Sequence, residues 1–169
     1  LLCMALVLNI ETATRICFVS LGNDGKLLAL RETAEDKSHA RTLTVFIEEL
    51  FKETELPLRD LDAVAVSKGP GSYTGLRIGV STAKGLCYAL GKPLIGISTL
   101  KAMASGRLLT SPVPADSVLL CPMIDARRME VYASVFDSSL NEVKSTEAVI
   151  IDSRSYEGIL SRGKMLFFG

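Results

Sequence analysis

The chain has 169 residues, 48% of them hydrophobic and 22% charged, so it can bury one sizeable core or two small ones. Nineteen basic and nineteen acidic residues give a formal net charge of zero. The net charge of the chain therefore does not attract it to nucleic acid or to anionic lipid. The four cysteines occur singly, without a C-x-x-C pair, which indicates reduced thiols and a cytoplasmic location.

The first part of the chain predicts a three-stranded meander and an amphipathic helix. Strand-like runs cover Ala5–Ile10, Ile16–Leu21 and Lys26–Leu30, and Gly22–Gly25 predicts a hairpin turn between the last two. Apolar residues at helical spacing follow: Leu43, Phe46, Ile47, Leu50 and Phe51. The apolar run Leu1–Ile10 is too short to cross a bilayer, so we expect a buried strand and no membrane contact.

A glycine-rich loop joins the next strand, Leu61–Val66, to a long helix that ends near Leu90. The loop Ser67–Gly79 holds four glycines and a proline, a composition that permits close approach of the backbone to another chain or a ligand. Glycines between a strand and a helix are typical of phosphate cradles. Their spacing, G-x-G-x-x-x-G, fits neither a dinucleotide fold nor a Walker loop. Phosphate binding and a purely structural turn both remain open.

The second part of the chain repeats the strand pattern predicted for the first part. A strand at Pro93–Ile97 and a helix at Leu100–Leu109 complete a β-β-β-α-β-α-β order that fits a ribonuclease-H-like or actin-like lobe. Three more strand-like runs follow in meander order: Val118–Ile124, Val131–Phe136 and Val143–Ile151. At an offset of 114 residues Glu11 aligns with Asp125, so each meander begins with a strand that ends in an acid. We expect duplicated lobes at residues 1–109 and 110–169.

The candidate cofactor-binding residues are Glu11, Thr12 and Asp125, since carboxylates flank the nucleotide cleft of actin-like lobes. The loops after the two acids lack glycine, however, and so do not leave a row of backbone N–H groups open for phosphate. Arg127 and Arg128 would either block a triphosphate or bind a partner's carboxylates. His39 is the only histidine, so we expect no metal site of the two-histidine kind.

The segment Ser67–Leu86 closely resembles the signature of the bacterial TsaB (YeaZ) family of tRNA threonylcarbamoyladenosine biosynthesis proteins. Leu8–Ala13, Ser38–His39 and Ile124–Arg128 add to the resemblance, which extends from about Met4 to the last residue. It implies an α/β, actin-like (ribonuclease-H-like) fold of two lobes, each with a mixed sheet that opens in a three-stranded meander. Family members usually run further, so we expect the second lobe to be incomplete.

The resemblance also implies a function. TsaB-like proteins are non-catalytic scaffold subunits of the complex that forms N6-threonylcarbamoyladenosine at position 37 of tRNA, paired with the catalytic subunit TsaD and the ATPase TsaE. ATP and metal are then expected in the partners, no cofactor in this chain, and tRNA contact only through the complex. TsaD has a His-x-x-x-His pair, whereas here Leu43 follows four positions after His39.

The resemblance places the partner contact on the two long helices, and it implies a homodimer when the protein is alone. The expected interface residues are Leu43, Phe46, Ile47, Leu50, Leu76, Gly79, Val80 and Ala83. The same side chains would also suit packing against the chain's own sheet. The alternative function is a nucleotide-binding enzyme, an ATPase or transferase, with a cleft between Glu11 and Asp125. Proteins of this group once carried the label of peptidase. That function lacks support here because Ser72 does not lie in a Gly-x-Ser-x-Gly nucleophile elbow.

Overall fold

A computed structural model describes residues 5–34, 39–111, 118–161 and 163–169. Packing divides the chain into two units, Leu1–Ile97 and Ser98–Gly169, each with its own sheet. The predicted mixed α/β architecture with two sheets is confirmed. The division precedes the predicted boundary between residues 109 and 110, because the helix that begins at Thr99 packs on the second sheet.

The first unit is a five-stranded sheet in the order β3-β2-β1-β4-β5. Its strands are β1 (Leu6–Glu11), β2 (Cys17–Asn23), β3 (Lys26–Thr33), β4 (Ala63–Ser67) and β5 (Leu94–Ile97). The first three form an antiparallel meander, and β4 and β5 extend the sheet in parallel with β1. The predicted hairpin turn between β2 and β3 is confirmed, with positive φ at Asp24 and Gly25.

Two helices, α1 (His39–Thr54) and α2 (Tyr73–Leu90), pack against this sheet and share one core with it. A short 3-10 helix, Leu58–Asp60, leads into β4. The fully buried side chains recur at the spacing of one helix face in α1 and alternate along β1, as amphipathic elements require. This core includes Leu8, Leu21, Leu43, Leu50 and Val64, each with no exposed surface. Arg31 of β3 pairs with Glu49 and Glu53 and so ties the edge strand to α1.

Small residues bring α2 into contact with the end of β1. Gly75, Gly79, Ala83 and Cys87 recur at every fourth position, and all four are buried. A Cβ on Gly75 would lie 1.9 Å from the carbonyl oxygen of Thr12, and a Cβ on Gly79 would lie 2.2 Å from Thr12 Oγ1. Only glycine permits this approach, so the glycines of the loop and helix serve the packing of the chain on itself.

The second unit repeats the order of the first. Its strands are β6 (Val118–Arg127), β7 (Glu130–Phe136), β8 (Glu142–Ile150) and β9 (Lys164–Phe168), arranged β8-β7-β6-β9. As with β4 beside β1, β9 runs parallel to the first strand of an antiparallel meander. The sequence analysis did not predict β9 or the short helix α4 (Glu157–Leu160).

The second sheet has a small core on each face. On one face Leu100 and Ala104 of α3 (Thr99–Thr110) pack with Leu120 and Phe136. On the other face residues of the α4 segment cover Cys121, Ala133 and Val135. Among the described residues, none of the helices is long and apolar enough to span a membrane.

The first prediction concerns the glycine contact at Thr12. Gly75→Ala should lower the free energy of unfolding by about 2 kcal/mol or more, because the new methyl group meets the backbone carbonyl of Thr12 and forces the backbone to shift. Gly85→Ala in the same helix is the matched control. Nothing lies within 4 Å of a Cβ there, so alanine should raise stability by about 0.5–1 kcal/mol. Urea denaturation of both variants measures the contrast, and a similar change in the two would contradict it.

The second prediction concerns the buried thiol of Cys121. Burial raises its pKa from the ordinary 9.0 to about 11. A pKa that is higher in the folded state means that the folded protein holds the proton more firmly than the unfolded chain. The stability contribution is therefore complete below pH 9 and is lost as the pH rises towards 11. Denaturation of the wild type and Cys121→Ser at pH 8 to 11 should show the wild type losing its difference from the variant; a constant difference would contradict the prediction.

Candidate functional site

The predicted residue Glu11 ends β1 as a buried carboxylate whose two oxygens are both occupied. Oε1 accepts a hydrogen bond from the backbone N–H of Ala13 at 2.5 Å, and Oε2 accepts one from Ser67 Oγ at the end of β4. Ser67 is itself buried. The carboxylate therefore holds its own turn and the neighbouring strand together, which is a structural use of the charge.

Thr12 is fully buried and also bonds within the first unit. Its Oγ1 donates to the carbonyl of Gly75 at 2.8 Å, so the hydroxyl faces α2. Part of the glycine loop also bonds within the first unit. The N–H of Ser72 donates to the carbonyl of Ala13 at 2.6 Å, and the N–H groups of Gly75 and Leu76 donate to the side chain and carbonyl of Ser72. A Cβ on Gly71 would also lie 2.2 Å from the carbonyl oxygen of Ala13, so these contacts give the turn a structural role.

Asp125, the third predicted residue, lies in the second unit and is exposed. Its Oδ1 accepts a hydrogen bond from the backbone N–H of Arg127 at 2.8 Å. The same bond links Glu11 to Ala13 in the first unit, again two residues apart. The duplicated acids thus share a local role: each fixes the turn that follows the first strand of its sheet.

The described part of the chain contains no cluster of side chains that could hold a metal ion. In these residues no group of three or more His, Cys, Asp or Glu side chains comes together. His39 begins α1, but its side chain lies outside the described residues. The predicted absence of a metal in this chain stays a prediction.

The eight predicted interface residues divide by burial. Leu43, Ile47, Leu50, Gly79 and Ala83 are buried in the first unit, so in this fold these five residues are not available to a partner. Burial argues against these five as contact residues, since their helical spacing serves the chain's own sheet, while the interface itself stays a prediction. Phe46, Leu76 and Val80 keep part of their surface exposed and can contribute to a contact.

The outer face of α2 carries residues that the sequence analysis missed. Tyr73, Arg77, Ser81, Lys84 and Tyr88 follow one another at spacings of three or four and lie opposite the buried glycine row; we call them the α2 stripe. All five are exposed, with Tyr73 at 75% and Tyr88 at 93%. The guanidinium of Arg77 lies 5.5 Å from the ring centre of Tyr73, and the stripe contains no carboxylate. Its spacing was visible in the sequence, but only the glycine contacts identify which face points outward.

The chain matches known proteins over most of its length. Residues 31–155 match the family model described as TsaD: tRNA N6-adenosine threonylcarbamoyltransferase. The chain is 37% identical over 147 residues to the tRNA threonylcarbamoyladenosine biosynthesis protein TsaB of Escherichia coli, covering 85% of this chain and 62% of that protein. It is 32% identical over 131 residues to TsaB of Bacillus subtilis, covering 77% and 54%. The chain thus spans less than two-thirds of the length of these relatives.

A solved structure agrees with the sequence matches. YeaZ from Pseudomonas aeruginosa superposes with a TM-score of 0.76 and 28% identity, covering 87% of this chain and 68% of that one. The family model, the sequence relatives and the solved structure point to one group. The chain belongs to the TsaD-related family and, within it, to the TsaB (YeaZ) branch.

Proposed function

We propose that this chain is a non-catalytic scaffold subunit in tRNA threonylcarbamoyladenosine biosynthesis, one that acts in the cytoplasm by docking a TsaD-like catalytic subunit. A TsaE-like ATPase joins the same assembly, tRNA is contacted only through the complex, and ATP and metal belong to the partners. Family membership supports the pathway, since the relatives are named for this modification. The α2 stripe is the observation that carries the docking role.

The stripe has the chemistry of a protein contact. Tyrosine and arginine dominate binding hot spots, and two tyrosines as exposed as Tyr73 and Tyr88 leave large ring surfaces in water. A surface depression of about 270 Å³, lined by Thr74, Arg77, Ile78 and Ser81, borders the stripe and offers a place for a partner side chain. Leu76 and Val80 lie on the flank of the same helix. Alone, the protein uses this face for a homodimer.

The third prediction tests the stripe with one charge reversal. Arg77→Glu should weaken binding of the TsaD-like subunit from the same organism at least tenfold, about 1.4 kcal/mol, because it places a carboxylate at the centre of the contact. Calorimetry with the purified subunits measures the affinity. A size measurement of the chain alone should show the homodimer weakened as well.

The control is Arg59→Glu, which makes the same charge change on an exposed arginine of the same unit that belongs to the short 3-10 helix and not to α2. It should leave the affinity unchanged. Equal binding by the Arg77 and Arg59 variants would refute the stripe as the docking face. Gly79→Arg is unsuitable here, since the Cβ alone would collide with Thr12 and disturb the fold.

The fourth prediction separates the scaffold from the alternative nucleotide-binding enzyme. With both oxygens of Glu11 and the N–H of Ser72 engaged internally, the isolated chain should give no saturable heat with Mg·ATP up to about 1 mM. Titration calorimetry measures this directly. Micromolar binding would favour the enzyme and count against the scaffold.

A further inference from the structure

We propose that the α2 stripe recognises an acidic surface of the TsaD-like subunit, and that a carboxylate of that subunit occupies the depression beside Arg77. This inference rests on the proposed function and deepens it, since it names the chemistry of the partner at the same site. The charge of α2, its unused hydrogen-bond donors and the spacing of its cations all favour a carboxylate.

The helix α2 is cationic although the chain as a whole is neutral. Its 18 residues include Arg77 and Lys84 but no aspartate or glutamate, whereas the whole chain has equal numbers of acidic and basic residues. The neighbouring helix α1 carries three glutamates, two of which already pair with Arg31. Among the described residues, neither Arg77 nor Lys84 forms an ion pair. Both charges are therefore available to a partner.

The depression is lined by side chains whose hydrogen-bond donors the chain does not use. Thr74, Arg77 and Ser81 line it together with the apolar Ile78. In the part of the chain that the structure describes, the two hydroxyls and the guanidinium form no hydrogen bond. Thr54 of α1 differs, since its hydroxyl donates to the carbonyl four residues earlier at 2.8 Å, as helical hydroxyls often do. Three such donor groups suit a ligand with more than one acceptor oxygen.

The side chain of Arg77 is already restricted by its neighbour on the helix. The guanidinium lies 5.5 Å from the ring centre of Tyr73, a cation–π contact that uses none of its N–H groups. A guanidinium can donate two parallel hydrogen bonds to one carboxylate. Because the side chain is restricted before binding, it loses less conformational freedom when the carboxylate arrives.

The spacing of the two cations fits a helix of the partner. Arg77 and Lys84 are seven residues apart, which is two turns of α2 and about 10 Å along its axis. Between them lies the small side chain of Ser81, and the exposed rings of Tyr73 and Tyr88 lie at the two ends of the stripe. A partner helix packed along α2 can place carboxylates at the same seven-residue spacing opposite both cations.

Protein carboxylates fit this face better than RNA phosphates. Two cations on one helix are too few to follow a nucleic acid backbone, and the neutral chain adds no long-range attraction. Tyrosine and arginine are both enriched at protein interfaces, and the stripe combines them. The cations are therefore assigned to the protein partner.

The experiment neutralises the two cations and measures binding of the TsaD-like subunit from the same organism by titration calorimetry. Arg77→Gln/Lys84→Gln should weaken the affinity about tenfold, because both carboxylate contacts are lost. The control, Lys26→Gln/Arg59→Gln, removes the same net charge from exposed side chains outside α1 and α2, and it should bind as the wild type does. All four side chains are exposed, so both variants should keep the unfolding temperature of the wild type.

Salt provides a second measurement. The affinity of the wild type should fall about fivefold between about 50 mM and about 500 mM sodium chloride, because salt screens exposed charge pairs. The affinity of Arg77→Gln/Lys84→Gln should change by less than about twofold over the same range. A stripe that binds through its aromatic rings alone would show no such contrast.

Substitutions in the partner identify the carboxylate. Each exposed aspartate and glutamate of the TsaD-like subunit is changed in turn to the corresponding amide, and its binding to the wild type and to Arg77→Gln is measured. One of these changes should weaken binding to the wild type but cause little further loss with Arg77→Gln. Such non-additivity is expected of two groups in direct contact.

The outcomes separate this inference from the proposed function. If the wild type does not bind the TsaD-like subunit, both fail. If Arg77→Glu weakens binding, but the wild-type affinity is independent of salt and no partner carboxylate couples with Arg77, docking by the stripe stands and only this inference is overturned. Purified tRNA is titrated into the same variants. Loss of tRNA binding in Arg77→Gln/Lys84→Gln, with unchanged affinity for the TsaD-like subunit, would assign the cations to RNA and would also overturn the inference.

Discussion

Close packing of the α2 glycines against the Thr12–Ala13 turn is the contact on which the first unit depends. It sets the distance between helix and sheet, buries the hydroxyl of Thr12 against α2, and engages the N–H of Ser72 with the carbonyl of Ala13. Because one side of α2 is committed to this contact, the other side carries whatever the helix presents to solvent. The buried glycine contact on one side of α2 therefore determines which residues form the α2 stripe on the other side.

Much of the fold follows from hydrophobic periodicity. The alternation along β1 and the helical spacing of Leu43, Ile47 and Leu50 predict the elements and the core that the structure contains. The strand β9 was missed because its short apolar run stands near the end of the sequence, without a partner strand nearby in the chain. Its pairing with β6 joins residues far apart in sequence, which local patterns do not report.

The candidate site was less predictable for a different reason. The identity of Glu11 is plain in the sequence, but its use depends on Ser67, which is 56 residues away. The family resemblance placed a partner surface at Gly79 and Ala83, but the spacing of these residues also suits packing against the chain's own sheet, and only the position of Thr12 decides between the two. Exposure likewise separates Tyr73 and Tyr88 from the apolar residues of the same helix. In each case the deciding neighbour is distant in the chain.

In both units an acid at or near the end of the first strand accepts a hydrogen bond from the N–H two positions later. A fold that arose by repetition would retain such an acid for the sake of the turn, whatever became of its ancestral chemistry. A carboxylate at this point is therefore a poor marker of nucleotide turnover when other chains of this architecture are compared. The more informative observation is whether the carboxylate oxygens already accept hydrogen bonds from donors in the same unit.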